Sequence, residues 1–216
     1  MASSASSKKR LTIDWRRGLI PLSILVLIVL HFGLGAPFWV LLVFCLWIPI
    51  FYVGYPMYLH KKWEAFEKNF SQRFQRGEHR TLLEEYRKER FLRRFGPRAE
   101  MLSRLGLIYS ALEKYPQAEQ AFEGAIDAFD GGVPEQIYFN MANIKFELGK
   151  YDEAMQIYLT LKGNSPYQNA ARTQMALIDL HKGARVDQAR EFLEAERARA
   201  TGAMKDRIDQ ALAKST

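Results

Sequence analysis

A recurrence at 36 residues confines this chain to a stacked helical architecture. Tyr115 and Tyr151, Ala118 and Ala154, and Phe122 and Tyr158 are each 36 positions apart. Three agreeing offsets predict a repeated unit. A period of this length corresponds to a helix pair that cannot bury its apolar face alone and must stack on a neighbour. The best-formed unit runs from Glu135 to Pro166. Tyr138, Met141, Ala142, Ile144, Phe146 and Leu148 predict a first amphipathic helix and Gly149 a turn. Tyr151 to Tyr158 predict a second helix, and Asn164-Ser165-Pro166 a stop.

An earlier copy carries Leu105, Gly106 and Tyr109 in its first helix, and Tyr115, Ala118, Phe122 and Ala125 in its second. Leu105-Gly106 with Tyr109, Ala118 and Phe122 resemble the tetratricopeptide repeat family, as do Met141-Ala142 with Ala154, Tyr158 and Pro166. Two positions depart from the family pattern: Lys145 stands where a tyrosine is expected, and Asp130 where a proline is. Small residues let the two helices of a pair approach, and aromatics fill the gap to the next pair. The resemblance implies an all-α solenoid of about three repeats. One of them lies at about 168–199, where Ala176 follows Ala142 by 34 and Ala189 follows Ala154 by 35. A degenerate repeat is expected at about 63–96. There Leu82 precedes Ala118 by 36, Tyr86 precedes Phe122 by 36, and Gly77 precedes Gly149 by 72. Leu82, Leu83, Tyr86, Phe91 and Leu92 are read as one helix. Met204, Ile208, Ala211 and Leu212 predict a C-terminal helix with one apolar face, the cap that a solenoid end needs.

The resemblance also implies a concave groove lined by first helices, where a protein or peptide partner binds. Carried residue by residue, the groove candidates are Ser103, Leu107, Phe139, Asn143 and Phe146, with Thr173 and Leu177 placed less securely in register. Asn143 resembles the groove asparagine that pairs with a peptide backbone in some members. Phe139 occupies a place where a carboxylate-clamping Lys or Arg is expected, which points to an apolar or mixed peptide. Packing between repeats is the alternative role for these side chains.

Residues 18–59 contain no formally charged side chain. One spanning helix needs about 20 residues, so the stretch suits a transmembrane hairpin, with helices near 18–33 and 37–59 and a turn at Gly33-Leu34-Gly35-Ala36-Pro37. A cleaved signal peptide is disfavoured, since Pro37 would follow the cut and apolar sequence continues well beyond it. The net charge of +7 is uneven: +4 over 1–59, +6 over 60–105 and −3 over 106–216. Basic residues flank the hairpin at both ends and are missing from its loop, so the positive-inside rule puts both termini in the cytoplasm; a bacterial inner membrane fits this reading, although composition does not establish it. The expected division is a basic tail at 1–17, the hairpin at 18–59, juxtamembrane helices with the degenerate repeat at 60–97, repeats at 98–200 and the cap at 201–216. Lys61, Lys62, Arg87, Arg90, Arg93 and Arg94 are candidates for contact with anionic lipid headgroups; a solvated helix face is the alternative. Nucleic acid is disfavoured because no base-reading motif accompanies the charge.

No catalytic motif is evident. The four histidines, at 31, 60, 79 and 181, form no metal-ligand spacing. His79 and His181 are read as solvated. Cys45 is a lone cysteine in an apolar run, which excludes an intramolecular disulfide. No catalytic, cofactor or metal residue is assigned. The chain reads as a non-enzymatic membrane-anchored scaffold. A structural subunit that uses its hairpin, and an anionic-lipid-binding or enzymatic membrane protein, are the rival readings.

Overall fold

The computed structural model describes residues 53–161 and 166–214, with shorter stretches between 25 and 43. The chain divides into two compact units, Met1–Ala65 and Phe66–Thr216. All regular elements among the described residues are helical. A π-helical turn spans Val29–Gly33, and ten α-helices follow. They are α1 (Tyr55–Gln75), α2 (His79–Lys88), α3 (Arg90–Phe95), α4 (Arg98–Ala111), α5 (Tyr115–Ala128), α6 (Glu135–Glu147), α7 (Tyr151–Thr160), α8 (Gln168–Lys182), α9 (Val186–Arg197) and α10 (Ala203–Lys214).

Among the described residues no helix is long and apolar enough to cross a membrane. The spans expected near 18–33 and 37–59 fall partly outside the described residues, at 18–24 and over most of 38–52, and the stop at Asn164-Ser165 falls wholly outside them. α1 does begin at Tyr55, inside the expected second span, and runs on to Gln75 without a break.

In the second unit, α4 pairs with α5, α6 with α7 and α8 with α9, and each pair stacks on the next through α5–α6 and α7–α8. Further contacts of α4 with α6, α6 with α8 and α8 with α10 make a row of first helices, completed by the cap. The recurring residues hold this stack together. Ala118, Phe122, Ala154 and Tyr158 are all fully buried. Burial of a side chain of phenylalanine size contributes roughly 1.5–3 kcal/mol. Gly106 is where α4 meets α5 most closely, since a Cβ there would stand 2.9 Å from the Phe122 ring. α10 buries Ile208 and Ala211 against Ala176, Leu177, Ala189 and Leu193, the apolar face expected of the cap.

The turns repeat as faithfully as the core. Gly77, Gly149 and Gly183 have φ of +76°, +73° and +66°. In each case the following residue donates its N–H five residues back, and the glycine donates three back: Lys150 to Lys145 at 2.8 Å, for example, and Gly149 to Phe146 at 2.9 Å. These are Schellman ends, which satisfy the last carbonyls of the helix and require a left-handed residue. The first complete pair turns at Glu113, with φ +57° and the same two bonds.

The degenerate repeat contains a helical hairpin around Gly77. Asn69 Nδ2 donates to Glu85 at 2.9 Å, and Arg73 pairs with Glu78 at 3.0 Å and Glu85 at 3.2 Å. Arg104 of α4 forks onto Glu67 of α1 at 2.7 and 2.6 Å, and lies 5.3 Å over Phe70. The expected single helix through Leu82–Leu92 is broken at Glu89, between α2 and α3. α2 buries Leu82, Leu83 and Tyr86. Unbroken, it would bring Glu89 and Arg90 onto that stripe, three and four residues after Tyr86. The break instead puts Leu92 into the core.

Candidate functional site

The groove candidates lie on α4, α6 and α8. Ser103 is 6% exposed, so its hydroxyl is not offered to a partner; its neighbour Arg104 is clamped by Glu67 of α1. Leu107 is half-buried against the cluster of Phe122, Ile137, Met141 and Ile144. Thr173 is buried, and its hydroxyl donates to the Asn169 carbonyl at 3.1 Å. These three side chains serve packing.

α6 supplies the rest. Phe139 is half-buried, edge-on to Tyr158 at 6.0 Å and stacked on Tyr167 at 5.1 Å. Asn143 is half-buried, and its Oδ1 accepts a hydrogen bond from the Tyr158 hydroxyl at 2.6 Å. Burial is the main influence on that phenol and pushes its pKa well up; Arg207 lowers it and Glu147 raises it. The hydroxyl is thus held as a donor. With its oxygen committed, Asn143 has its two amide N–H groups left to offer. Phe146 lies edge-on to Tyr151 at 5.5 Å and to His181 at 5.8 Å, and His181 stacks on Tyr151 at 5.5 Å. Phe146 and the buried Leu177 border a cavity of about 180 Å³, which α10 closes with Arg207, Gln210 and Ala211. His181 is therefore part of an aromatic wall, although its residue surface is exposed. His79, read as solvated, is half-buried with its ring 4.8 Å from Phe74.

The basic candidates fall in two groups. Lys61 and Lys62 belong to the first unit. Arg87, Arg90, Arg93 and Arg94 are exposed in the second, where Arg93 donates to the Arg87 carbonyl at 3.4 Å and lies 5.6 Å over the Tyr86 ring. The glutamate break between α2 and α3 separates Arg87 from the other three.

A charge cluster escaped the sequence reading. Lys145, in the place of the expected tyrosine, is 7% exposed. Its Nζ donates to Glu119 of α5 at 2.9 Å and to Glu153 of α7 at 2.6 Å. Lys150 reaches both oxygens of Glu119 at 2.8 Å. Burial works to raise the Glu119 carboxyl, but Lys150 and Lys145 together hold it below the ordinary carboxylate range. Burial works to lower the Lys145 amine, and Glu153 and Glu119 outweigh it and hold the amine up. The only signal in the sequence was the departure of Lys145 from the repeat pattern. A second pair, Glu147 of α6 with Arg207 of α10, joins residues 60 positions apart and left no signal at all.

No group of His, Cys, Asp or Glu among the described residues is arranged to hold a metal ion. The family model for tetratricopeptide repeats matches residues 89–133 and 103–169. No curated protein matches the chain. The matched span takes in the pairs α4–α5 and α6–α7 with their Schellman turns and alanine–aromatic seams, and on this agreement of sequence and packing residues 89–169 of the chain are tetratricopeptide repeats.

Proposed function

We propose that the protein is a non-catalytic scaffold that holds a protein or peptide partner on the row α4, α6, α8 and α10, and that it does so at a membrane. The observation that carries the binding part is Asn143. Tyr158 fixes its oxygen, so its amide donors are available to a partner's backbone carbonyl, and Phe146 with the cavity beside it supplies apolar contact. The membrane part rests on the uncharged stretch 18–59 with its basic flanks. It implies an integral two-span anchor with both termini cytoplasmic in a bacterial inner membrane. The exposed arginines of α2 and α3 favour an anionic surface near the anchor. Tethering of this kind replaces a search through solution by a high local concentration.

The test is co-purification with the full chain solubilised from membranes, comparing the wild type with Asn143→Leu after circular dichroism has confirmed that the variant is folded. A partner lost from the variant supports the groove; a partner retained in full overturns it. Reporter fusions at both termini test the anchor, and a C-terminus on the far side of the membrane would overturn the cytoplasmic placement.

A further inference from the structure

The cavity between α6, α8 and α10 has a chemical preference of its own. Its apolar part comes from Phe146, Leu177 and Ala211, one residue from each helix. With about 180 Å³ the space has room for one side chain, whose tip would meet Phe146, Leu177 and Ala211 while its neighbours meet the polar rim of Glu147, His181, Arg207, Gln210 and Lys214. The charges around it are unequal. Arg207 and Lys214 of α10 are positive and Glu147 of α6 is negative. Arg207 is ion-paired with Glu147. Because α8 touches both α6 and α10, that pair bridges the two flanks of α8 beside Leu177. The aromatic wall of Tyr151, His181 and Phe146 is set by ring contacts, and the adjacent Lys182 is occupied by Asp152.

We propose that this cavity is the anchor subsite for a partner segment in which an apolar side chain is flanked by aspartate or glutamate, and that the segment's carboxylate takes Arg207 over from Glu147 as it docks. The inference rests on the scaffold function proposed above and names the chemistry of its partner. Apolar burial supplies attraction, and charge supplies selection. Before docking, Glu147 keeps Arg207 paired. After the exchange Glu147, whose side chain is 23% exposed, turns to water. A basic segment meets Arg207 and Lys214 as like charges and is rejected.

The probe is a fluorescein-labelled nonapeptide with a single leucine between two aspartates on each side and Gly/Ser ends. One analogue replaces the aspartates by lysine, and another replaces the leucine by serine. Fluorescence anisotropy is read against the full chain in non-ionic detergent. The Asp–Leu peptide is expected to bind, more weakly as salt rises, and both analogues to fail. Glu147→Gln is expected to tighten binding about fivefold by releasing Arg207, and Arg207→Gln to weaken it by a similar factor. Should Arg207→Gln lose helicity, Lys214→Gln at the exposed end of α10 gives the same weakening. Equal binding of the lysine analogue overturns the proposal. So does a shift of both charge variants in the same direction, or no binding to either wild type or Glu147→Gln at millimolar peptide. A native partner that survives Arg207→Gln but is lost from Asn143→Leu removes the acid-reading anchor and leaves the scaffold function standing; survival in both removes the scaffold function too.

Discussion

Lys145 is the residue whose loss tests the packing argument most directly. Its ammonium is almost fully enclosed and shared between Glu119 and Glu153. Stranding one member of a buried pair costs roughly 3–5 kcal/mol. Lys145→Met does not strand Glu119, because Lys150 still holds it at 2.8 Å, and Glu153 is 57% exposed and rehydrates. The methionine also keeps much of the buried stem. The single variant should therefore lose only about 1–2 kcal/mol, below the cost of a stranded charge. Lys150→Met, at a half-exposed position, should lose about 0–1 kcal/mol. The double variant leaves Glu119 buried without a cation and should lose about 3–5 kcal/mol, well beyond the sum of the singles. Glu119→Gln in the double background should recover most of that loss. Urea unfolding of the full chain in detergent, followed by far-ultraviolet circular dichroism, measures all four. Additivity to within about 0.5 kcal/mol, or no rescue by glutamine, would refute the account. The pH dependence has a matching sign. Glu119 is depressed below 4.5 in the folded protein, so its contribution is present above pH 4.5 and is lost as pH falls through the folded value. Lys145 is raised above 10.5, so its contribution is present below pH 10.5 and is lost as pH rises through the folded value.

Two backbone predictions follow from the glycines. Gly106→Ala drives a Cβ into the Phe122 ring at 2.9 Å; overpacking of about 1–3 kcal/mol should exceed the gain in helix propensity of roughly 1 kcal/mol, and a rise in the urea midpoint would count against the close approach. Glu113 occupies the left-handed turn position that Gly77, Gly149 and Gly183 occupy in the other pairs, so Glu113→Gly should stabilise by about 1 kcal/mol and Gly149→Ala should destabilise by about 1–2 kcal/mol; shifts of equal sign would show that the two turns are not equivalent.

Packing residues were legible in the sequence because their constraint is local and repeated. Ala118 and Ala154 must be small, Phe122 and Tyr158 must be large, and Gly149 must turn left-handed, so each leaves a mark at a fixed spacing. The apolar face of α10 was legible for the same reason. Ser103 read equally as a groove or a packing residue; the structure buries it, and the contact of its neighbour Arg104 with Glu67 joins residues 37 positions apart that no spacing marks. The break at Glu89 was missed because its cause is the misalignment of Glu89 and Arg90 with a stripe that only tertiary packing defines. The Glu147–Arg207 pair depends on α10 reaching over α8, a contact with no periodic counterpart.

Comparing repeats shows why Lys145 and Glu119 belong together. One period before Lys145 stands Tyr109, and one period after Glu119 stands Met155. The first pair thus has an aromatic on its first helix and a carboxylate on its second, whereas the next pair has an ammonium and a thioether. The charges meet only where α5 of one pair faces α6 of the next. A stack that placed α7 in the position of α5 would set Met155 against Lys145 and leave the ammonium buried without that counter-ion. In an array of similar hairpins the apolar seams discriminate weakly between neighbours, since alanines and aromatics recur in each. The Lys145–Glu119 pair across this one interface opposes the wrong pairing, though by less than the roughly 3–5 kcal/mol of a stranded charge, because Glu153 of the same helix pair keeps the ammonium partnered. It thereby favours the native order of stacking at a position where the family pattern would have put one more tyrosine.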